Sequence, residues 1–263
     1  MIPLPEMSVN EVEVFFVEQK ISEQHFLIIF MAFYQRVDGQ LSAYAVWALI
    51  TFIRNFGAES TSLPLAQLTK ATGIQTKKLR VVLNELEQHG ILKIDFPETG
   101  KRARVRHLQL NLAYISDDLI MSVYSLDNII KRMSRKFPLL KFIELLFMKS
   151  AEIKISNLPK KTETDCNLDY RSYLVLLRLI YGADSFGIVI GCGIGEIERA
   201  TGLNKQSIYR AIQQLKQFGF IRCQANGAIR NSFIQTESPI YALNLSHKFW
   251  GDAAIYGKFY ILK

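Results

Sequence analysis

Hydrophobic residues recur at helical spacing in two stretches of the chain that lie 129 positions apart. In ATGIQTKKLRVVLNEL, Ala71 to Leu86, they follow the i, i+3, i+4, i+7 spacing of one buried helix face. The stretch ATGLNKQSIYRAIQQL, Ala200 to Leu215, repeats this spacing and aligns with the first without a gap. The buried positions are Leu79, Val82, Leu83 and Leu86 in the first stretch and Ile208, Ala211, Ile212 and Leu215 in the second. The pattern therefore predicts the same helix twice.

The residues around these helices are also alike in the two halves. A short amphipathic helix, LPLAQLTKA or GIGEIERA, precedes each one and ends at Thr-Gly, where glycine can adopt the positive φ of a sharp turn. Gly90 and Gly219 end the second helices, and the strands ILKIDF and FIRCQ follow. A returning strand then ends in Leu-Asn-Leu in both halves. Each half also begins with a long apolar helix, near 42–56 and 171–182.

This order of long helix, short helix, turn, second helix and β-hairpin resembles the winged helix-turn-helix domains. The resemblance covers about Ser42–Asn111 and Arg171–Asn244, well over half of the chain. It implies an α+β fold, mainly α, with two tandem winged helix-turn-helix domains joined by a helical linker. The expected parts are an N-terminal helical extension with domain 1 (residues 1–112), a helical connector and linker (113–169), and domain 2 with a C-terminal aromatic tail (170–263).

The positive charge of the chain is concentrated in the duplicated segments. The formal net charge is +8, and the segments 64–112 and 194–245 carry surpluses of +5 and +3, which account for all of it. A positive surplus located on one kind of element is expected for a surface that meets a polyanion. The charge pattern thus favours nucleic acid as the partner.

Only the helix face turned away from the core can reach base edges in the DNA major groove. Candidate DNA-binding residues in the first copy are Gln75, Thr76, Lys77, Lys78, Arg80 and Asn84, with Val81 on the same face. Those in the second copy are Asn204, Lys205, Gln206, Ser207, Tyr209, Arg210 and Gln213. The first set is rich in lysine, which suits phosphate anchoring, whereas arginine, glutamine and asparagine in the second suit base reading. The alternative is a polar face that is only solvated.

The hairpin of the first copy adds four basic candidates within six residues, Lys101, Arg102, Arg104 and Arg106. A basic hairpin beside a recognition helix suits contacts with phosphate or the minor groove. The alternative is an edge strand whose charges prevent aggregation. The hairpin of the second copy offers only Arg230, so its grip on phosphate is expected to be weaker.

Two further segments have open interpretations. The connector predicts two helices separated at Pro138, and its apolar FIELLF face needs a partner at a domain junction or a dimer interface. The C-terminal tail is rich in aromatic residues, which either stack on single-stranded bases or pack against their own domain. These residues are Phe249, Trp250, Tyr256, Phe259 and Tyr260.

Enzyme chemistry is not expected. The four histidines show no metal-ligand spacing, and IGCGIG lacks the lysine of a phosphate-binding loop. The three cysteines form no CxxC pair, which indicates reduced, structural thiols. We therefore expect no catalytic residue, no metal and no cofactor. The acidic N-terminus and the short apolar runs predict a cytoplasmic protein with no membrane partner.

The resemblance implies a sequence-specific protein that binds double-stranded DNA. Tandem winged-helix proteins of this kind include replication initiators of plasmid or phage type and transcription regulators, which place recognition helices in major-groove segments about one turn apart, roughly 10 base pairs. A homodimer and the replication or transcription machinery are the further partners to expect. The alternative is a tandem winged-helix protein-interaction subunit of a chromosome-organising complex or adaptor.

Overall fold

The fold of the computed structural model is α+β and mainly helical, with small antiparallel sheets, which confirms the coarse class. The chain divides into two compact units, Met1–Lys131 and Arg132–Lys263. The structure describes residues 34, 39–56, 61–95, 105–111, 138–150, 153, 168–225 and 239–254. The expected N-terminal helix falls outside these residues except for Tyr34, which is helical and buried.

The first unit is built around α1, Ala43–Phe56. Its sequence AYAVWALITFI is apolar on every side, and a helix of this composition is stable only when it is enclosed. Two amphipathic helices, α2 (Leu65–Thr72) and α3 (Thr76–Gln88), pack against α1. The buried side chains of α3 are the four that its periodicity predicts, Leu79, Val82, Leu83 and Leu86.

A three-stranded antiparallel sheet completes the described part of the first unit. Its strands are β1 (Thr61–Pro64), β2 (Leu92–Asp95) and β3 (Val105–Leu110), and β3 lies in the middle. In β2, buried and exposed residues alternate, and its buried members Leu92 and Ile94 pair with the buried Leu110 and Leu108 of β3. The alternation puts one face of the hairpin onto the core.

The second unit repeats this plan around α5, Tyr170–Tyr181. The helices α6 (Ile194–Thr201) and α7 (Lys205–Gln217) pack against it, as α2 and α3 pack against α1. The buried side chains of α7 are again the predicted ones, Ile208, Ala211, Ile212 and Leu215. The helical predictions on the described residues are thus confirmed in both copies.

The sheet of the second unit has the same strand order. Its strands are β4 (Ile188–Val189), β5 (Ile221–Ala225) and β6 (Ile240–Leu243), with β6 in the middle. The pair Ile221 and Leu243 corresponds to Leu92 and Leu110 of the first sheet. One irregularity distinguishes the copies: the register shifts between Ile221 and Cys223, which leaves one extra residue in β5.

Helix α4, Leu140–Lys149, carries the FIELLF face and belongs to the second unit. It packs against α5 and against a short 3₁₀ helix, Lys248–Ala253. The Phe142 and Trp250 rings meet edge to face with their centroids 5.0 Å apart, and both side chains are buried. The apolar face of α4 therefore has partners within its own unit, whereas the sequence leaves a domain junction and a dimer interface open.

Two aromatic residues of the C-terminal tail pack against their own unit. Phe249 and Trp250 pack on Phe220, which lies between α7 and β5, with ring centroids 5.1 Å and 5.8 Å from it. The Trp250 indole N–H donates to the Asn244 carbonyl at 2.9 Å, so this ring is held inside the unit and is not free to stack on bases. The other tail aromatics, Tyr256, Phe259 and Tyr260, lie outside the described residues.

Candidate nucleic-acid interface

The turn between α2 and α3 is fixed by the buried Thr72. Its Oγ1 donates to the Leu68 carbonyl at 2.8 Å and accepts the N–H of Ile74 at 3.2 Å. Gly73 follows with a φ of 70°, and its N–H donates to the Thr69 carbonyl. Because a side chain other than glycine is strained at this φ, the Thr-Gly pair sets the angle at which α3 leaves the turn.

The second copy makes the same turn with the same atoms. Thr201 Oγ1 donates to the Ile197 carbonyl at 2.6 Å and accepts the N–H of Leu203 at 3.3 Å. Gly202 has a φ of 64°, and its N–H donates to the Glu198 carbonyl. The gapless sequence repeat is therefore a repeat of hydrogen bonds as well.

Asparagine of the shared Leu-Asn-Leu ending holds the far end of each second helix. Asn111 Nδ2 donates to the carbonyl of Gly90 at 2.7 Å, and Asn244 Nδ2 donates to the carbonyl of Gly219 at 2.9 Å. Both glycines have a positive φ, 69° and 79°, as the residue after a helix end often does. In the sequence, the repetition of Leu-Asn-Leu is the signal for this role.

A fourth pair of contacts joins the long helix to the second helix in each copy. The Ser42 backbone N–H and hydroxyl donate to the Glu85 carboxylate at 2.5 Å and 2.7 Å. In the second unit the Ser172 hydroxyl donates to Gln214 Oε1 at 2.5 Å. We use the name shared frame for the residues that make the turn, asparagine and serine contacts described above. They are Ser42, Thr72, Glu85 and Asn111 in the first unit and Ser172, Thr201, Gln214 and Asn244 in the second.

The shared frame leaves the predicted faces of α3 and α7 in solvent. We use the name outward face for Gln75, Thr76, Lys77, Lys78, Arg80, Val81 and Asn84 of the first unit and Asn204, Lys205, Gln206, Ser207, Tyr209, Arg210 and Gln213 of the second. All of them are exposed except Ser207, which is half-buried. The structure thus places the predicted helix residues of each copy on the side of the helix that faces away from the core.

Lys78 already has a partner inside the first unit. Its Nζ donates to the Tyr44 hydroxyl at 3.2 Å and lies 4.8 Å from the centre of the Tyr44 ring. The contact joins the outward face of α3 to the first turn of α1. An ammonium group has three donors, so this bond leaves Lys78 able to make further ones. Tyr44 and Lys78 are 34 residues apart, so no local sequence pattern predicts this contact.

Asn204 has a structural role that the sequence analysis did not assign. It is the N-cap of α7, and its Oδ1 accepts the backbone N–H of Ser207 at 2.9 Å. The corresponding Gln75 makes no side-chain cap. Because the carbonyl oxygen of Asn204 is used for the cap, only its Nδ2 donors remain for an outside partner.

Arg222, one of the basic residues of the second copy, is used to build the sheet. It occupies the irregular position of β5, where its Nε donates to Asn244 Oδ1 at 2.8 Å and its Nη2 contacts the Ser246 hydroxyl. The first copy has Lys93 at this position, and Lys93 is exposed. Part of the positive charge counted in the second copy therefore supports the shared frame.

Most of the basic candidates in the two hairpins are not among the described residues. Lys101, Arg102, Arg104 and Arg230 lie outside the described residues. Arg106 is in β3, where its backbone pairs with that of Leu63. Among the described residues, the candidate interface therefore consists of the outward face of each second helix.

His247 closes the end of α7 in the second unit. Its ring stacks on Phe220 with centroids 4.3 Å apart, Nε2 lies 2.9 Å from the Phe218 carbonyl, and Nδ1 accepts the N–H of Phe249 at 3.1 Å. This pattern requires a neutral ring with the proton on Nε2. Burial lowers the pKa of His247 below its ordinary value, and the nearby Lys248 acts in the same direction.

The described residues include neither a cluster of metal ligands nor a membrane-spanning helix. No group of three or more His, Cys, Asp or Glu side chains lies together there as a metal site would require. Cys192 is buried, and burial raises the pKa of its thiol, as for a structural cysteine. No helix in the described part of the chain is long and apolar enough to cross a membrane.

Comparison of the chain with protein-family models, with curated proteins and with solved structures finds no match in any of the three. The geometry and charge of the outward faces are therefore the features that bear on function.

Proposed function

We propose that the chain binds double-stranded DNA in a sequence-specific manner through two winged helix-turn-helix domains, with α3 and α7 as recognition helices. The observation that carries the proposal is the pair of equivalent outward faces, exposed by the same shared frame in both units. An amphipathic helix held by a rigid turn on one side and a hairpin on the other fits the geometry by which such domains enter the major groove.

Charge supports DNA as the ligand. The segments that contain α3 and α7 carry the whole positive surplus of the chain. Three of the seven residues on the outward face of α3 are basic, Lys77, Lys78 and Arg80, and all three are exposed. Phosphate contacts of this kind supply most of the affinity of DNA-binding proteins without reading sequence.

The second outward face has the chemistry of base reading. Gln206, Arg210 and Gln213 lie on one stripe of α7, spaced by four and three residues. Arginine recognises guanine by two hydrogen bonds, and glutamine recognises adenine in the same way. We therefore assign anchoring mainly to α3 and reading mainly to α7.

We propose further that the chain acts without a catalytic step, as a replication initiator of plasmid or phage type or as a transcription regulator. Both roles need the same sequence-specific binding. The genomic position of the bound sequence separates them, because an initiator binds repeats at an origin and a regulator binds beside promoters.

The proposal is tested by measuring the affinity of the purified chain for duplexes chosen from a random library, over a series of salt concentrations. We expect a steep loss of affinity with salt, because phosphate contacts release counterions. Arg210→Ala should relax the preference at one base pair by about 1–3 kcal/mol. Lys141→Ala removes an exposed charge from α4 and is the matched control, with no change of preference.

Flat salt dependence, or equal behaviour of Arg210→Ala and Lys141→Ala, contradicts the proposal. A protein-interaction subunit is then the better candidate. The observation that favours it is the exposure of two large apolar side chains on the outward faces, Val81 at 66% and Tyr209 at 57%. Recovery of one stoichiometric protein partner that is lost on Val81→Asp and Tyr209→Asp would support that second function.

A further inference from the structure

Val81 lies in the middle of the outward face of α3. It follows Lys77 by four residues and precedes Asn84 by three, so the three side chains form one stripe along the helix. The buried side chains of α3 lie on the opposite side. Single exposed apolar residues are common on protein surfaces, so the exposure of Val81 alone does not indicate a function. Its significance comes from its place on the outward face of a helix that the shared frame holds as it holds α7.

The residue at the equivalent position of α7 is Arg210. The two helices align without a gap, and Arg210 also follows a residue of its stripe by four, Gln206, and precedes another by three, Gln213. The shared frame holds both helices by equivalent threonine and asparagine contacts. One position therefore presents an isopropyl group in the first unit and a guanidinium group in the second.

These two groups select different base pairs in the major groove. A guanidinium donates two hydrogen bonds to O6 and N7 of guanine, whereas an apolar side chain contacts the C5-methyl group of thymine. We propose that Val81 contacts the methyl group of a thymine, so that the half-site bound by α3 has an adenine–thymine pair where the half-site bound by α7 has a guanine–cytosine pair. The inference rests on the proposed duplex binding and makes the target asymmetric.

The surroundings of Val81 favour DNA over an apolar protein surface. Lys77, Lys78 and Arg80 lie within four residues of it on the same helix, and all are exposed. The nearest acidic side chain on α3, Glu85, is bonded to Ser42. The C5-methyl group of thymine lies in the major groove, which is flanked by phosphates. It therefore suits an apolar side chain that is surrounded by cationic ones.

The test uses the full chain and the tightest duplex from a random-sequence selection. Each thymine is replaced in turn by deoxyuridine, which lacks only the C5-methyl group. We expect one thymine whose replacement weakens binding by about fourfold, the effect of removing one buried methyl group. Val81→Ala should abolish the effect at that thymine and leave every other replacement unchanged. Alanine favours the helix more than valine does, so this variant keeps its fold.

Arg210→Ala is the matched control, because it weakens binding overall yet should keep the fourfold effect at the same thymine. If no thymine shows an effect, or if Val81→Ala retains it, the inference is overturned while duplex binding stands. If the wild-type chain selects no duplex, the proposed function fails and the inference fails with it. A thymine effect that disappears in Val81→Ala and persists in Arg210→Ala is the result expected.

Discussion

Thr72 and Thr201 make the same two hydrogen bonds, and Asn111 and Asn244 bond to the same helix end. At none of the seven equivalent positions of the two outward faces, however, do the two copies have the same residue. The frame is repeated where it sets the position of a helix, and the surface differs where the helix meets solvent. Such a division is expected when two copies must present helices in one geometry to two different stretches of a ligand. Comparing the copies thus separates the residues that position the helices from the residues that would determine which ligand is bound.

The largest expected effect tests the division of anchoring and reading. The triple variant Lys77→Ala, Lys78→Ala and Arg80→Ala should weaken binding to all duplexes by roughly a hundredfold, at about 1 kcal/mol per lost bond. The slope of log affinity against log salt should fall by about 3, because three phosphate contacts are lost. Titrations of labelled duplexes at several salt concentrations measure both quantities.

The equivalent positions of α7 provide the matched control for this variant. Gln206→Ala, Ser207→Ala and Tyr209→Ala replace the corresponding residues without removing a charge, so the salt slope should stay unchanged. A similar loss of slope in the two triple variants would show that the copies do not divide the work in this way.

The next effect concerns the shared frame. Asn244 bonds to Gly219, Arg222 and Ser246, whereas the described contacts of the Asn111 side chain comprise the bond to Gly90. Asn244→Ala should therefore lower the free energy of unfolding by about 2–3 kcal/mol and Asn111→Ala by about 1 kcal/mol. Equal losses would contradict the reinforcement of the second copy by Arg222.

These losses can be assigned to units because each unit contains one of the two tryptophans, Trp47 and Trp250. Fluorine NMR of the fluorotryptophan-labelled chain in increasing urea follows each unit separately. Labelling keeps both indole N–H groups, which donate to the Thr72 and Asn244 carbonyls.

A smaller effect is expected from exchanging Glu85 and Gln214. The Glu85 carboxylate accepts two bonds at the start of α1, and Glu85→Gln weakens both, for a loss of about 1 kcal/mol. Gln214→Glu should also destabilise its unit, because Ser172 already donates its backbone N–H to Asp169 and a second carboxylate would face the first. A gain of stability in either variant, measured by the same urea titration, would contradict this account of the contact.

The smallest effect is a pH dependence confined to the second unit. The folded pKa of His247 lies below its ordinary value of 6.5, so on acidification the unfolded chain takes up the proton first. The contribution of His247 to stability is complete above pH 6.5 and decreases as the pH falls toward the folded pKa. The Trp250 signal should therefore show a lower urea midpoint at mildly acidic pH, and His247→Gln should remove that share of the change. An unaltered pH dependence in His247→Gln would contradict the assignment.

The helices and their buried faces were predictable because each depends on local periodicity, as Leu79 and Ile208 illustrate. The strands β1 and β4 were missed, since two to four residues are too few for an alternating pattern and their pairing partners lie about 50 residues away. The packing of α4 on the 3₁₀ helix was also not predictable, because the two lie about 100 residues apart in the sequence. Asn204 was expected to read bases, and its use as a helix cap shows that one polar residue type serves both purposes.

The most direct test of the central claim is a random-sequence duplex selection with the full chain, followed by titration of the enriched duplex in increasing salt. The account predicts one enriched motif with two half-sites of different sequence and an affinity that falls steeply with salt. Failure to enrich any motif, or an affinity that does not change with salt, would contradict it.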